Sequence, residues 1–460
     1  MKFLFTTLPT NDLGLISRSL PVAAELTSRG HEVIFSNPAN APSKVIGDAG
    51  FYNELPVHPL YRLAFQGMNF KNFIRVARTE PFRKEYGSLP RFLCKLTRSL
   101  PLRFAPADSE VWDTDQACAI TGLLNYKFTL SLCDAYAGVM EKTKADVVVD
   151  FWNPLACIAS KKMGIPLITI NQADALPGSK GFIWWKKKPA AIPSVVPVFN
   201  RVLRKFGMDR VENCEEINRG NLTLVTGTPA TDPLEGINDF HYTGALVWQR
   251  PDSVPPPWFH ELPGNKPLIW LYGGNPHYGG RSSIFDSSSM LKACFEALGN
   301  SDWTVVLSRG YHEPAKEQGA LPSNFISVPF VPGLLMGGRA DLLIHHGGYG
   351  SCQTGLVCGK PSLVLPTFSE RESNARRIAK LGSGDYVLPQ QAAGKKVFNA
   401  GEIREKVKTI LSDPRYRVCA EKQRDELLRY GGAPGAADLI EKFTGGRVPK
   451  ETTRAPDLTA

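Results

Sequence analysis

The chain has no Cys-x-x-Cys pair, no apolar run long enough to cross a bilayer, no long block of Lys or Arg, and no His/Cys cluster at zinc-ligand spacing. Each absence removes a class of protein. Without paired cysteines or zinc spacing, neither a disulfide scaffold nor a structural zinc domain is expected. The nine cysteines, odd in number and scattered, read as reduced and mostly buried thiols. A spanning helix needs about 18 or more consecutive apolar residues, so none is expected. The stretch Met1 to Thr7 meets Pro9, Asn11 and Asp12 too soon to supply a signal peptide's apolar region, and a cytoplasmic protein is the expectation. No RNA-binding aromatic signature accompanies the basic residues, so nucleic acid is not an expected partner.

What is present is ordinary globular composition: 460 residues, 43% apolar and 21% charged. Single cores stop growing near roughly 250 to 300 residues, so two domains of similar size are expected. Lys and Arg exceed Asp and Glu to give a formal net charge of +10, which suits an anionic ligand. Phe3 to Thr7 reads as a strand, residues 16 to 29 as a helix with Ile16, Leu20, Ala23 and Leu26 at helical spacing, Gly30 as its stop, and Glu32 to Phe35 as the next strand. That is a βαβ unit, with parallel strands. The first βα loop, Leu8 to Gly14, lacks Gly-x-Gly-x-x-Gly, which disfavours a dinucleotide-dependent oxidoreductase. Ala145 to Asp150 and Gly164 to Ile170 repeat the rhythm, their continuous Val/Ile runs suiting strands covered on both faces.

Seven prolines between residues 228 and 266 interrupt it. The rhythm restarts at Pro267 to Gly274 and runs through strands near 303–307, 342–344 and 362–366. The organisation expected is an α/β protein with two doubly wound parallel-sheet domains: residues 1–228, a connection at 229–266, residues 267–426, a terminal helix at 427–446 and a polar, disordered tail at 447–460.

In such sheets the ligand sits beyond the carboxyl ends of the strands, where loops enter helix N-termini. Glycine there lets backbone N–H groups approach phosphate oxygens. Gly273-Gly274-Asn275 and His345-His346-Gly347-Gly348-Tyr349-Gly350-Ser351 are two such loops. The second suits a diphosphate, with backbone donors and the Ser351 hydroxyl on one phosphate and an imidazole on the other. A tight turn with a satisfied histidine is the competing reading.

The order of Phe330-Val331-Pro332-Gly333, His345 to Ser351, Gly359-Lys360-Pro361, Leu365-Pro366, Glu370 to Arg376 and Leu381 to Gly384 resembles the donor-binding signature of the UDP-glycosyltransferase superfamily, particularly its bacterial natural-product branch. Thr6-Thr7-Leu8-Pro9, Arg29 to Val33 and Asp150 to Pro166 are similar to it as well. The resemblance implies a GT-B fold, two Rossmann-like domains facing across a cleft, a terminal helix that returns to the first domain, and transfer of a hexose or deoxyhexose from a nucleoside diphosphate sugar, with inversion and without a metal or other cofactor. It puts Phe330 and Val331 at the nucleobase and Gly274, Asn275, His346, Gly348, Gly350 and Ser351 at the diphosphate. Thr354 stands where UDP-specific members carry a ribose-binding Glu, which leaves UDP and dTDP both open. Glu370 and Arg371 stand at the Asp-Gln pair that holds the donor's sugar; Arg has no acceptor, so an unusual sugar is implied unless Arg371 pairs with Glu372 or Asp385.

The family's usual base, a His before the first helix, falls on Leu15 here. Asp150, at the end of a buried-type strand, and Asp12 are then the candidate catalytic residues, with helix capping as the alternative role for Asp150. An acceptor that needs little activation, or a protein that binds nucleotide sugar without transferring it, are the other accounts. Asp113-Thr114-Asp115 spells a cation-binding Asp-x-Asp but in a loop-like context, and reads as surface. Residues 60–130 and 176–210 are expected to shape a pocket for a small hydrophobic acceptor. Within them, Trp184, Trp185, Lys186, Lys187 and Lys188 either line that cleft or touch an anionic membrane surface.

Overall fold

A computed structural model describes residues 1–10, 13–56, 110–190, 192–250, 253–274, 287–310, 321–392 and 395–445. The first lobe is built on β1 (Lys2–Thr7), β2 (Glu32–Ser36), β3 (Tyr52–Asn53), β4 (Val147–Phe151), β5 (Leu167–Asn171), β6 (Leu222–Thr226) and β7 (His241–Gly244). These pair in the order β3-β2-β1-β4-β5-β6-β7, all parallel. Among the described residues, its helices are α1 (Gly14–Ser28), α2 (Asn40–Asp48), α3 (Thr114–Ile120), α4 (Tyr126–Thr143), α5 (Pro154–Met163) and α6 (Val196–Lys205).

Both faces of the sheet are covered, which is why its central strands are apolar throughout. Leu4 and Val148 pack with Leu132, Tyr136, Leu155 and Phe199 on one side. Phe3, Phe5 and Val149 pack with Ile16, Leu20 and Leu26 on the other. Local signals agree with this packing. Asn153 caps α5 by accepting the Ala156 N–H, Pro154 follows in the first turn, and Gly164 at φ 67° ends the helix.

The second lobe pairs β8 (Leu268–Tyr272), β9 (Thr304–Ser308), β10 (Phe325–Val328), β11 (Leu342–His345), β12 (Ser362–Val364) and β13 (Gly384–Tyr386) in the order β10-β9-β8-β11-β12-β13, again parallel. Helices α7 (Ser288–Leu298), α8 (Gly333–Arg339), α9 (Tyr349–Val357), α10 (Ser369–Lys380), α11 (Ala400–Ser412) and α12 (Pro414–Arg429) surround it. A small antiparallel pair, β14 (Gln390–Ala392) and β15 (Lys395–Val397), follows β13. In both sheets the strand order reverses between the first and fourth strands, which opens a crevice at their carboxyl ends.

One feature departs from the expected boundaries. The Pro-dense segment is not wholly a connection, because His241–Gly244 adds β7 to the first sheet. The last described helix, α13 (Gly432–Gly445), leaves the second lobe and returns to the first. There Ala436, Ala437 and Ile440, each 0% exposed, join the core of Phe3, Ile16 and Leu20. Arg29 reinforces the return by donating to Asp438 at 2.6 Å and Glu441 at 2.7 Å. Residues 447–460 lie outside the described residues. Six of the eight described cysteines are buried and all eight are free thiols.

Candidate active site at the inter-lobe cleft

The crevice of the second sheet lies between β8 and β11, whose last residues Tyr272 and His345 are register partners. The loops leaving them are the two glycine loops, so the fold brings Gly273-Gly274 beside His346 to Gly348. The His346 imidazole sits between them. Its ring meets Tyr272 edge-on with centroids 5.8 Å apart. A Cβ on Gly274 would lie 2.9 Å from the ring, and one on Gly348 would lie 2.8 Å from Nε2. Gly274 also holds φ +78°, so glycine there answers both a left-handed backbone and a close approach.

Burial, and the nearby Arg371 guanidinium, push the His346 pKa well below its ordinary value, and burial takes His345 down to about 3. Both rings are therefore neutral near pH 7. His345 Nδ1 accepts the Gly347 N–H at 3.2 Å, whereas His346 Nδ1 is buried with no hydrogen-bond partner. An unsatisfied buried nitrogen is costly, and His345 Nε2 is buried without a partner too.

Gly350 and Ser351 lie in the first turn of α9. Gly348 is its N-cap and offers no side-chain cap; the Ser351 N–H turns back to the Gly348 carbonyl at 3.0 Å, so the Tyr349 and Gly350 N–H groups and the Ser351 hydroxyl are the donors of that turn suited to an anion. The turn faces the first lobe: Ser17 Oγ, in the first turn of α1, would stand 4.0 Å from a Cβ on Gly350. Phe330 is 66% exposed and Val331 buried beside it, so Phe330 offers a bare aromatic face. Thr354 is buried and its hydroxyl donates to the Gly350 carbonyl at 2.9 Å. Asn275 and His277 lie outside the described residues.

Glu370 and Arg371 open α10 just beyond this loop. Asn374 donates from Nδ2 to Glu370 Oε1 at 2.8 Å and to the Gly347 carbonyl at 3.0 Å, which ties the helix to the loop. Arg371 is buried, donates to Thr367 Oγ1 at 2.6 Å, and packs its Cβ and carbonyl close to Gly347. Of the carboxylates considered for it, Glu372 pairs with Arg376 and Asp385 with Lys406. A buried cation beside the glycine loop complements an anionic ligand.

In the first lobe, Asp150 lies one residue before the end of β4, with its side chain 0% exposed and both carboxylate oxygens held inside the fold. Thr6 Oγ1 donates to Oδ2 at 2.5 Å, and the Asn153 N–H and Cys157 thiol donate to Oδ1 at 2.8 and 3.2 Å. Burial raises its pKa to about 7. A carboxylate so enclosed braces the β1–β4–α5 junction. Leu15, in the first turn of α1, is itself buried, and Asp12 lies outside the described residues.

Trp184 and Trp185 are half-buried against α10, while Lys186, Lys187 and Lys188 are exposed. Lys186 pairs with Glu110 at 2.6 Å and Lys188 with Asp113. Asp113 thereby serves a surface ion pair and also caps α3 by accepting the Gln116 N–H.

Other residues were not singled out by sequence reasoning. Tyr349, inside the glycine loop, crosses to the first lobe, where its hydroxyl lies 2.8 Å from Asp232 Oδ2 and 2.9 Å from the Thr226 carbonyl. Arg18 stacks over its ring at 4.7 Å. Asp232 is fully buried, with a pKa raised by burial to about 6. The sequence signal was a lone aromatic among glycines; its partner is 117 residues away.

Comparison with known proteins accords with this geometry. The family described as Erythromycin biosynthesis protein CIII-like, C-terminal domain, matches residues 292–442. The demethyllactenocin mycarosyltransferase of Streptomyces fradiae is 32% identical over 202 residues, 44% of this chain and 38% of that protein. The 4'-demethylrebeccamycin synthase of Lentzea aerocolonigenes is 29% identical over 42% of each chain. The chain thus spans about two fifths of the length of the curated relatives it matches. In three dimensions it is similar to the calicheamicin glycosyltransferase CalG4, with TM-score 0.67 and 19% identity over 97% of this chain and 99% of that one. Two lobes built on parallel sheets, a crevice walled by glycine loops and the structural likeness together give the GT-B fold, and over part of its length the chain is similar to natural-product glycosyltransferases.

Proposed function

We propose that the protein is a glycosyltransferase that moves a hexose or deoxyhexose from a dTDP- or UDP-sugar to a small hydrophobic acceptor, with inversion and without a metal ion. The observation that carries the proposal is the neutral His346 ring, held between Gly274 and Gly348 with a buried unpartnered nitrogen beside the uncapped start of α9. Such a ring donates one N–H to a phosphate oxygen while Gly350 and Ser351 supply further donors. Phe330 receives the nucleobase, and Glu370 accepts from hydroxyls of the sugar. As the acceptor oxygen attacks the anomeric carbon, the bond to the diphosphate breaks and its charge grows among these donors and the Arg371 guanidinium. A related structure, of the glycosyltransferase VinC, was solved in complex with dTDP; it is 17% identical, with TM-score 0.62, and covers 97% of this chain and 100% of its own.

With Asp150 enclosed, Asp12 is the remaining carboxylate candidate for a base, and an acidic acceptor needs less help. A second reading, a binding partner that holds nucleotide sugar without transferring it, is favoured by one observation: a buried leucine occupies the place of the usual base. Calorimetry with dTDP, UDP and their glucose conjugates tests the first reading. Binding that His346→Ala weakens at least tenfold supports it, and no heat from any of them overturns it. Release of free sugar or glycoside, unaffected by EDTA, separates enzyme from partner.

A further inference from the structure

Helix α10 has two working sides. Successive residues step by about 100° around a helix, which places Glu370, Arg371 and Asn374 on the side that meets the glycine loop and Ser369, Ser373, Arg376 and Arg377 on another. Each member of that second set touches the first lobe. Ser369 Oγ donates to the Val111 carbonyl at 2.7 Å and accepts the Val111 N–H at 3.1 Å. Trp184 Nε1 donates to Ser373 Oγ at 3.0 Å. The Arg376 guanidinium lies 4.3 Å from the centre of the Trp185 ring. Arg377 donates from Nη2 to Asp174 Oδ1 at 2.6 Å, with Asp174 0% exposed.

We infer that this four-point dock couples the first lobe to the donor sugar: Asp174, Trp184 and Trp185 are positioning residues that set α10, and through it Glu370 and Arg371, only when the lobes are together. The inference rests on the donor-site reading above. Its physical basis is the choice of contacts. The Asp174–Arg377 pair is oriented and buried, and Asp174 Oδ2 and Arg377 Nη1 have no partner. A buried pair of that kind adds little net attraction but strongly fixes one geometry. When the lobes part, both charges regain water and the register of α10 is released. The indole N–H and guanidinium–indole contacts are likewise directional. The nucleoside, in contrast, meets Phe330, away from α10, and the diphosphate meets the loop around His346, on which α10 bears through Asn374, the packing of Arg371 on Gly347 and the Arg371 charge beside His346. Grip on the sugar should therefore depend on the dock much more strongly than grip on the nucleotide.

The experiment compares dTDP with dTDP-glucose, and UDP with UDP-glucose, by calorimetry on wild type, Arg377→Met, Arg377→Lys and Trp184→Phe. In wild type the sugar conjugate is expected to bind more tightly than the bare nucleotide. Arg377→Met and Trp184→Phe are expected to leave the nucleotide within about twofold while cutting the preference for the conjugate about fivefold or more, and Arg377→Lys to restore part of it. Trp184→Phe keeps an aromatic side chain at the site while removing the indole N–H, so it keeps the test open if Arg377→Met fails to fold. Hydrogen exchange in residues 173–186 is expected to slow with dTDP-glucose in wild type and not in the variants. An unchanged preference in both folded variants, or an equal loss for nucleotide and conjugate, overturns the coupling. Wild type that binds none of the four ligands overturns the donor-site reading itself, and the coupling with it.

Discussion

Replacing Asp150 by Asn removes a buried charge while leaving every contact a chemically reasonable partner. The amide oxygen can keep the Asn153 N–H and the Cys157 thiol, and the amide N–H₂ can donate to Thr6 Oγ1, which accepts as readily as it donates. The wild-type carboxyl has an ordinary pKa of 3.8 and is raised by burial to about 7. Below pH 4 it is protonated whether the chain is folded or not. Between about pH 4 and 7 the unfolded chain gives up the proton and the folded chain retains it, so stability falls as pH rises. Above pH 7 both states are ionised and the full cost remains. At about 1.36 kcal/mol per pKa unit, that cost is on the order of 4 kcal/mol. Asn cannot ionise, so the variant should equal wild type near pH 4 and exceed it by roughly 2–4 kcal/mol at pH 8. Urea unfolding of both proteins at several pH values measures this, and because other groups titrate alike in the two, the difference isolates Asp150. A difference that does not change with pH, or that favours wild type as pH rises, would refute the reasoning. The same variant should keep transfer within about tenfold; a loss of about 10²- to 10⁴-fold, the usual worth of a general base, would return Asp150 to the chemistry.

Phe330→Ala should weaken dTDP and UDP about tenfold by calorimetry, since stacking a base on an aromatic is worth about 1–3 kcal/mol. Its melting temperature should stay within 1–2 °C (roughly, for a surface change), because the ring is 66% exposed. Gly348→Ala places a methyl 2.8 Å from His346 Nε2, and nucleotide affinity should fall at least tenfold while circular dichroism is unchanged; wild-type affinity would show that the ring does not hold the ligand from this position. Ile440→Ala should cost about 2–5 kcal/mol in unfolding of the first lobe, although the residue lies in the last described helix; a loss below about 0.5 kcal/mol, the scale of an ordinary surface change, would mean that α13 is not part of that core.

The two-lobe plan was legible because parallel sheets covered on both faces leave an unmistakable trace: Val147 to Phe151 and Leu167 to Asn171 are buried at every position. β7 left none. His-Tyr-Thr-Gly is four residues long, carries no apolar run and lies among prolines, so its strand character comes from pairing with β6 at the sheet edge. The glycine loops were readable because close approach restricts sequence, and Gly274 and Gly348 both crowd the same ring. Asp150 shows the opposite case. Its place at a strand end could be read, but its enclosure depends on Thr6, brought opposite by the β1–β4 register. The Trp184-Trp185 pair drew notice as a local oddity, yet its partners on α10 lie 189 residues or more along the chain, beyond any pattern of spacing.

The return of α13 also has a bearing on how the protein is made. The lobe that leaves the ribosome first lacks Ala436, Ala437 and Ile440 until translation has passed through the entire second lobe. At roughly 5–20 residues per second the nascent lobe waits on the order of 10–40 s with that apolar face uncovered, a window in which a chaperone rather than the native helix would have to shield it.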